Sequence, residues 1–156
     1  MKYWEAFERR IVHDIRLSGH FITRIPTGAR VIKIGGAVQF KGQKTAFDFA
    51  AAVNGRAVFF DAKCMTSGER FNIRSLVLSP KKIHQYQALL DAAQSGGAVA
   101  GYLIWWFNER LITFVDVLKL RDLIVNTEVK SITPETFPSK TYPDHLKIDV
   151  SKWVTS

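Results

Sequence analysis

The dipeptide Asn54-Gly55 is the strongest constraint on how this chain can fold. It divides two apolar runs in FDFAAAVNGRAVFFDAK, residues 47–63, and each run carries an aspartate. A two-residue type I′ turn needs positive φ at both positions, and Asn-Gly tolerates that best. With the turn formed, pairing is arithmetic: Val53 faces Arg56, Ala51 faces Val58, and Asp48 faces Asp61. Side chains alternate across a strand, so Asp48, Ala50, Phe59, Asp61 and Lys63 are expected on one face.

Like charges directly opposite on a sheet repel, and burial makes this worse unless one is protonated or a cation lies between them. Two carboxylates and an ammonium converging on one space describe a divalent-metal site with a positioned lysine. All-oxygen ligands favour Mg²⁺, with Mn²⁺ as its substitute, over zinc. The lone Cys64 and four scattered histidines also lack zinc-ligand spacing. The alternative is a pair of solvent-facing acids with Lys63 as their salt-bridge partner. Ala50, Ala52, Ala57 and Phe59, which share that face, weigh against a polar surface, while a one-residue register slip would separate the acids.

The chain has 156 residues, enough for one domain with a single core. Its 22 Lys and Arg against 14 Asp and Glu give a net charge of +8, which favours polyanionic partners, nucleic acid first. The longest apolar stretch, AVAGYLIWWF at 98–107, is far short of the roughly 20 residues of a membrane span. Residues 1–15 are too charged for a signal peptide, and one cysteine suits a reducing cytoplasm.

Along the chain, Trp4, Phe7, Ile11 and Ile15 recur at helical spacing over 2–18, ending at Gly19. Residues 20–25 alternate like a strand. Residues 29–46 read as a mobile basic hairpin or loop carrying Arg30, Lys33, Lys41 and Lys44. The quoted hairpin follows, then an irregular polar stretch. Ser79-Pro80 is expected to open a helix that runs to about Gln94 and stops at Gly96-Gly97. A buried strand at 98–107, a turn at Asn108-Glu109, a strand LITFV and a short helix capped by Asp116 complete the pattern to 124. The last 32 residues, with three of the five prolines and no clear period, read as a wrapping tail. This order describes a mixed α/β domain with helices flanking a central sheet.

Asp48, twelve intervening residues, then Asp61-Ala62-Lys63 across a hairpin resembles the PD-(D/E)xK nuclease superfamily. More specifically, the chain is similar to RecU-type Holliday junction resolvases. The hairpin, IHQYQ at 83–87, SGGAVAGYLIWW and LITFVDVLKL each resemble segments of that family in order. FERRIVHDIRLSGHFITRIPTG resembles archaeal junction resolvases in its Glu-Arg, Gly, Arg and Pro spacing. Together these cover roughly residues 4–124. An aspartate, Asp61, stands where the RecU-type family usually has glutamate.

The resemblance implies a restriction-endonuclease-like core and a crossover-junction endodeoxyribonuclease acting on four-way DNA as a C₂ homodimer, bacterial or of phage origin. Asp48 and Asp61 would bind Mg²⁺, Lys63 would position or polarise the attacking water, and Gln87 would sit beside them. Spacing also puts Gln87 on an inward stripe with Ile83 and Leu90. The N-terminal acid is Glu8 by the archaeal spacing and by its place at the edge of the apolar stripe; a gap-free RecU-type alignment points nearer Glu5. The basic loop occupies the place of the RecU-type junction-inserting stalk and is shorter. Arg24, Arg70, Arg74, Lys81 and Lys82 are further candidate phosphate contacts, each alternatively a solvated surface charge. Other superfamily endonucleases, and a non-catalytic DNA-binding module on the same fold, are the competing functions.

Overall fold

Asn54 and Gly55 adopt φ of 51° and 80°, and the strands on either side pair in the expected register, from Val53 with Arg56 through Ala51 with Val58 to Phe49 with Phe60. The hairpin is therefore placed by its turn, and extending that register by one pair brings Asp48 to Asp61. A computed structural model describes residues 2–25, 28–34, 37–43, 47–66 and 70–154, with the backbone alone over 28–34 and 37–43.

Helix α1 (Tyr3–Leu17) leads into β1 (Phe21–Arg24), with Gly19 at φ 84° just past the helix end. Strands β2 (Gly28–Ile34) and β3 (Ala37–Gln43) pair antiparallel, so the basic segment 29–46 contains a hairpin; Lys44 lies outside the described residues. The Asn-Gly hairpin is β4 (Phe49–Val53) and β5 (Arg56–Met65). The stretch expected to be irregular contains β6 (Phe71–Asn72) and a single-turn helix α2 (Ile73–Leu76), capped by the Asn72 side chain accepting from the Ser75 N–H. Helix α3 (Ile83–Gly96) starts later than Ser79-Pro80. The Ser79 carbonyl accepts from the N–H groups of Lys82 and Ile83, so those residues form a preceding turn. Strand β7 (Val99–Trp106) and β8 (Leu111–Asp116) follow, joined by a turn over 107–110 that contains the expected Asn108-Glu109, with Arg110 at positive φ of 57°. Helix α4 (Val117–Asn126) is capped as expected, with Asp116 accepting from the N–H groups of Leu118 and Lys119.

The tail does more than wrap. Strand β9 (Ser131–Ile132) pairs with β6, and β10 (Thr141–Pro143) pairs with β8. The central sheet has six strands in the order β1-β4-β5-β7-β8-β10, with β5 and β7 parallel and the other neighbours antiparallel. It is a mixed sheet flanked by helices. Phe7, Ile11 and Ile15 of α1 pack on one face, joined by Ile148, Val150 and Trp153 from the tail. Helix α3, through Tyr86 and Leu89, and α4, through Leu120, cover the other face over Tyr102, Ile104 and Trp106. Among the described residues no helix is long and apolar enough to cross a membrane.

Candidate active site

The hairpin carries its two acids to the point where the sheet meets α1 and α3. Asp48 precedes β4, and its backbone carbonyl accepts from the Ile25 N–H at 2.7 Å. Its carboxylate Oδ2 accepts from the Ala62 N–H at 3.0 Å, which holds it against the middle of the dyad Asp61-Lys63. Asp61 is only 1% exposed and Asp48 is half-buried, so the alternative of solvent-facing acids does not hold for Asp61. Lys63 does pair with it, Nζ to Oδ2 at 2.8 Å, and the same ammonium donates to Gln85 Oε1 at 3.1 Å. The other Asp61 oxygen, Oδ1, is buried with no hydrogen-bond partner.

Burial dominates the electrostatics. It raises the Asp61 carboxyl from its ordinary 3.8 to about 7; the Lys63 ammonium pulls the other way, and the charge of Asp48 adds to the rise. Tyr102, paired with Asp61 in the parallel ladder, is likewise pushed upward by burial and then by the Asp61 charge. Glu8 on α1 is raised too, by burial first and by Asp48 and Glu5, although Arg24 lowers it through an ion pair at 3.0 Å. Cys64 is shifted up to about 12, again by burial and then by Glu8. One cleft of about 740 Å³ joins Glu8, Asp48, Asp61, Lys63 and Gln85, and Glu5 does not line it.

Gln87 is not among the residues brought together. It is exposed, whereas Gln85 is buried and touches Lys63. The inward face of α3 is set by Gln85, Tyr86 and Leu89, while Ile83 and Leu90 are only partly buried. At about 100° per residue, Gln87 is turned roughly 200° from Gln85. A stripe centred on Tyr86 and Leu89 would have selected Gln85 from the sequence.

The basic candidates divide. Arg24 is half exposed at the Glu8 side of the site and Lys82 lines the cleft. Arg70, Arg74 and Lys81 are exposed and do not line it. Arg30 and Lys41 are opposite one another in the β2–β3 register, and Lys33 is opposite Val38.

Among the described residues no group of three or more His, Cys, Asp or Glu is arranged to hold a metal ion. The donor set is the Asp48 and Asp61 pair, with the orphaned Asp61 Oδ1 as an open acceptor. Mg²⁺ commonly takes one or two carboxylates and completes its shell with water and phosphate, so these residues fit it.

No protein-family model matches the sequence, and no curated protein matches it. Among solved structures, the chain is similar to the 1.6 Å structure of Archaeoglobus fulgidus Hjc, a Holliday junction resolvase from an archaeal hyperthermophile. The TM-score is 0.51 at 14% identity, over 86% of this chain and 91% of that one. At that identity, what the two share is a fold.

Proposed function

We propose that this chain is a Mg²⁺-dependent endodeoxyribonuclease that resolves four-way DNA junctions. The observation that carries the proposal is the convergence of Asp48, Asp61 and Lys63, with Gln85 and Glu8, in one cleft on a fold shared with a junction resolvase. The RecU-type resemblance of the hairpin and of the segments after it supports the same activity.

Asp48 and Asp61 would hold Mg²⁺, or Mn²⁺ in its place. When bound, the ion lowers the pKa of the attacking water and offsets charge growing on the phosphate. The protein's own groups do the rest. The Ala62 N–H orients Asp48, and Asp61 with Gln85 fixes the Lys63 ammonium from two sides. A cation held in that way is preorganised to donate to the water or to a phosphoryl oxygen as negative charge develops. Glu8, tied to Arg24, completes the acidic wall, and Arg24 and Lys82 supply phosphate contacts at the rim. Two such sites in a C₂ homodimer would match the near-twofold symmetry of a four-way junction and yield paired nicks. The net charge of +8 suits DNA, and a lone cysteine suits the reducing cytoplasm of a bacterial or phage-infected cell.

The test is cleavage in Mg²⁺ of a four-way junction and of a duplex of equal sequence. The junction is expected to be cut preferentially, and Asp61→Asn to reduce cutting by about 100-fold or more, a loss typical of removing an essential catalytic charge. Undiminished junction cleavage by that variant would sink the site assignment. Equal cutting of both substrates would transfer the site to another kind of superfamily endonuclease.

A further inference from the structure

The first residue of the α1 stripe does not go where its spacing sends it. Phe7, Ile11 and Ile15 are buried in the core, yet Trp4, on the same period, is 49% exposed. Trp4 instead lines the cleft that holds Asp48, Asp61 and Lys63. Tyr3 lines that cleft as well and is 51% exposed. Its ring is backed by Phe107 at 4.5 Å and by Trp105 edge-on at 6.4 Å. Trp105 packs in turn on Phe7 at 5.6 Å, so a ladder of rings supports Tyr3 from the core outward. Lys2 Nζ lies 5.7 Å from the centroid of the Trp4 ring, and Lys82 lines the cleft with it.

A single exposed aromatic residue is unremarkable in a soluble protein. Two adjacent ones on the rim of the cleft, one of them braced from behind, place exposed aromatic rings beside Lys2 and Lys82, groups that attract phosphate. Aromatic faces flanked by cations take up nucleobases irrespective of their sequence. Bases inside a duplex are stacked on one another and out of reach, whereas those flanking a branch point border a break in the continuous stack, where unstacking costs less.

We propose that Trp4, beside Tyr3 at the rim of the cleft, is a stacking platform for a nucleobase unstacked at a branch point, next to the phosphodiester to be cut. The platform rests on the nuclease function proposed above and supplies it with a source of branch selectivity separate from the carboxylates. Selectivity would then come from base stacking as well as from the path of the backbone.

Binding of fluorescent DNA by the full chain in EDTA tests the platform without cleavage. The substrates are a four-way junction, the same junction with abasic sites at the branch point, and a duplex of equal sequence. For the unaltered chain, removing the branch-point bases should weaken binding about tenfold, the scale of one base–aromatic stack. Trp4→Ala should weaken intact-junction binding by a similar factor, and abasic sites should then cause little further loss, since the two changes delete one contact. Trp4→Phe should keep the coupling, which guards against a mere folding defect. Independent, multiplying losses, or full affinity in Trp4→Ala, overturn the platform. If the unaltered chain binds neither junction nor duplex and cuts nothing in Mg²⁺, the nuclease function fails and the platform with it. Junction cleavage by a chain whose Trp4 and abasic effects are independent would leave the nuclease standing and remove only the platform.

Discussion

Lys63 illustrates how little freedom the central residue of this cleft retains. A lysine in water samples many rotamers, but here the side chain is 13% exposed and its ammonium is held at 2.8 Å by Asp61 and 3.1 Å by Gln85. Gln85 is therefore a positioning residue: it touches the lysine and fixes where that charge points. Gln85→Ala is expected to lower kcat for junction cleavage by roughly tenfold to a hundredfold with KM little changed, the scale of a misplaced catalytic group. Gln87→Ala, two residues along on the exposed side of α3, should stay within about threefold, as surface substitutions generally do. The reverse order of effects would return the role to Gln87. Asp48 shows the same economy of placement, since one backbone N–H, that of Ala62, orients its carboxylate at 3.0 Å.

At the level of elements, the β4–β5 hairpin is locally determined, because two successive positive-φ residues leave its strands one register. Strand β7 is determined differently. It is buried on both faces, and its Gly101 lies under β8 so closely that an added Cβ would meet the Val115 carbonyl oxygen at 2.1 Å and Phe114 Cζ at 2.9 Å. The backbone oxygen belongs to the β7–β8 ladder and cannot swing aside as a flexible side chain would. Gly101→Ala should cost about 1–3 kcal/mol or more through overpacking, read as a lower urea midpoint. An unchanged midpoint would mean that the β7–β8 approach is looser than described. The short helix after β8 was readable from Asp116 alone, because a cap side chain acts on N–H groups only two and three residues away.

The whole molecule ties its ends together around the sheet. Asp14 on α1 accepts from the Ile148 N–H at 3.0 Å, and Trp105 donates to Asp144 at 3.1 Å. The tail also places Trp153 flat against Phe114, with ring centroids 4.5 Å apart. Against this stabilising frame stands the cleft, whose buried acid opposes folding when ionised. Asp61 has its folded pKa raised from 3.8 to about 7, so between those values the folded chain binds more protons than the unfolded chain. Stability of the metal-free protein therefore falls as pH rises through that window and levels off above it. Glu8, also raised, acts in the same direction. Urea unfolding in EDTA should give a lower stability at pH 8 than at pH 5, by on the order of 1–3 kcal/mol, and Asp61→Asn should remove most of the difference. Equal stability at both pH values would mean that Asp61 ionises as an ordinary exposed carboxylate.

By itself, the sequence determined what depends on near neighbours: the Asn-Gly turn, the register it imposes, the opposition of Asp48 and Asp61, the Asp116 cap, and the order of the longer helices and strands up to α4, although not β6 and α2. These follow from φ preferences and hydrogen bonds that span a few residues. Only the tertiary structure decided which side of α3 faces inward, and so Gln85 over Gln87. It alone brought Glu8 across from α1 to the hairpin acids, left Trp4 at the rim although its period matches the core, and drew β10 from a proline-broken tail onto the edge of the sheet. Those outcomes depend on contacts between residues tens of positions apart. There, packing against a particular neighbour outweighs the weak local preference that periodicity records.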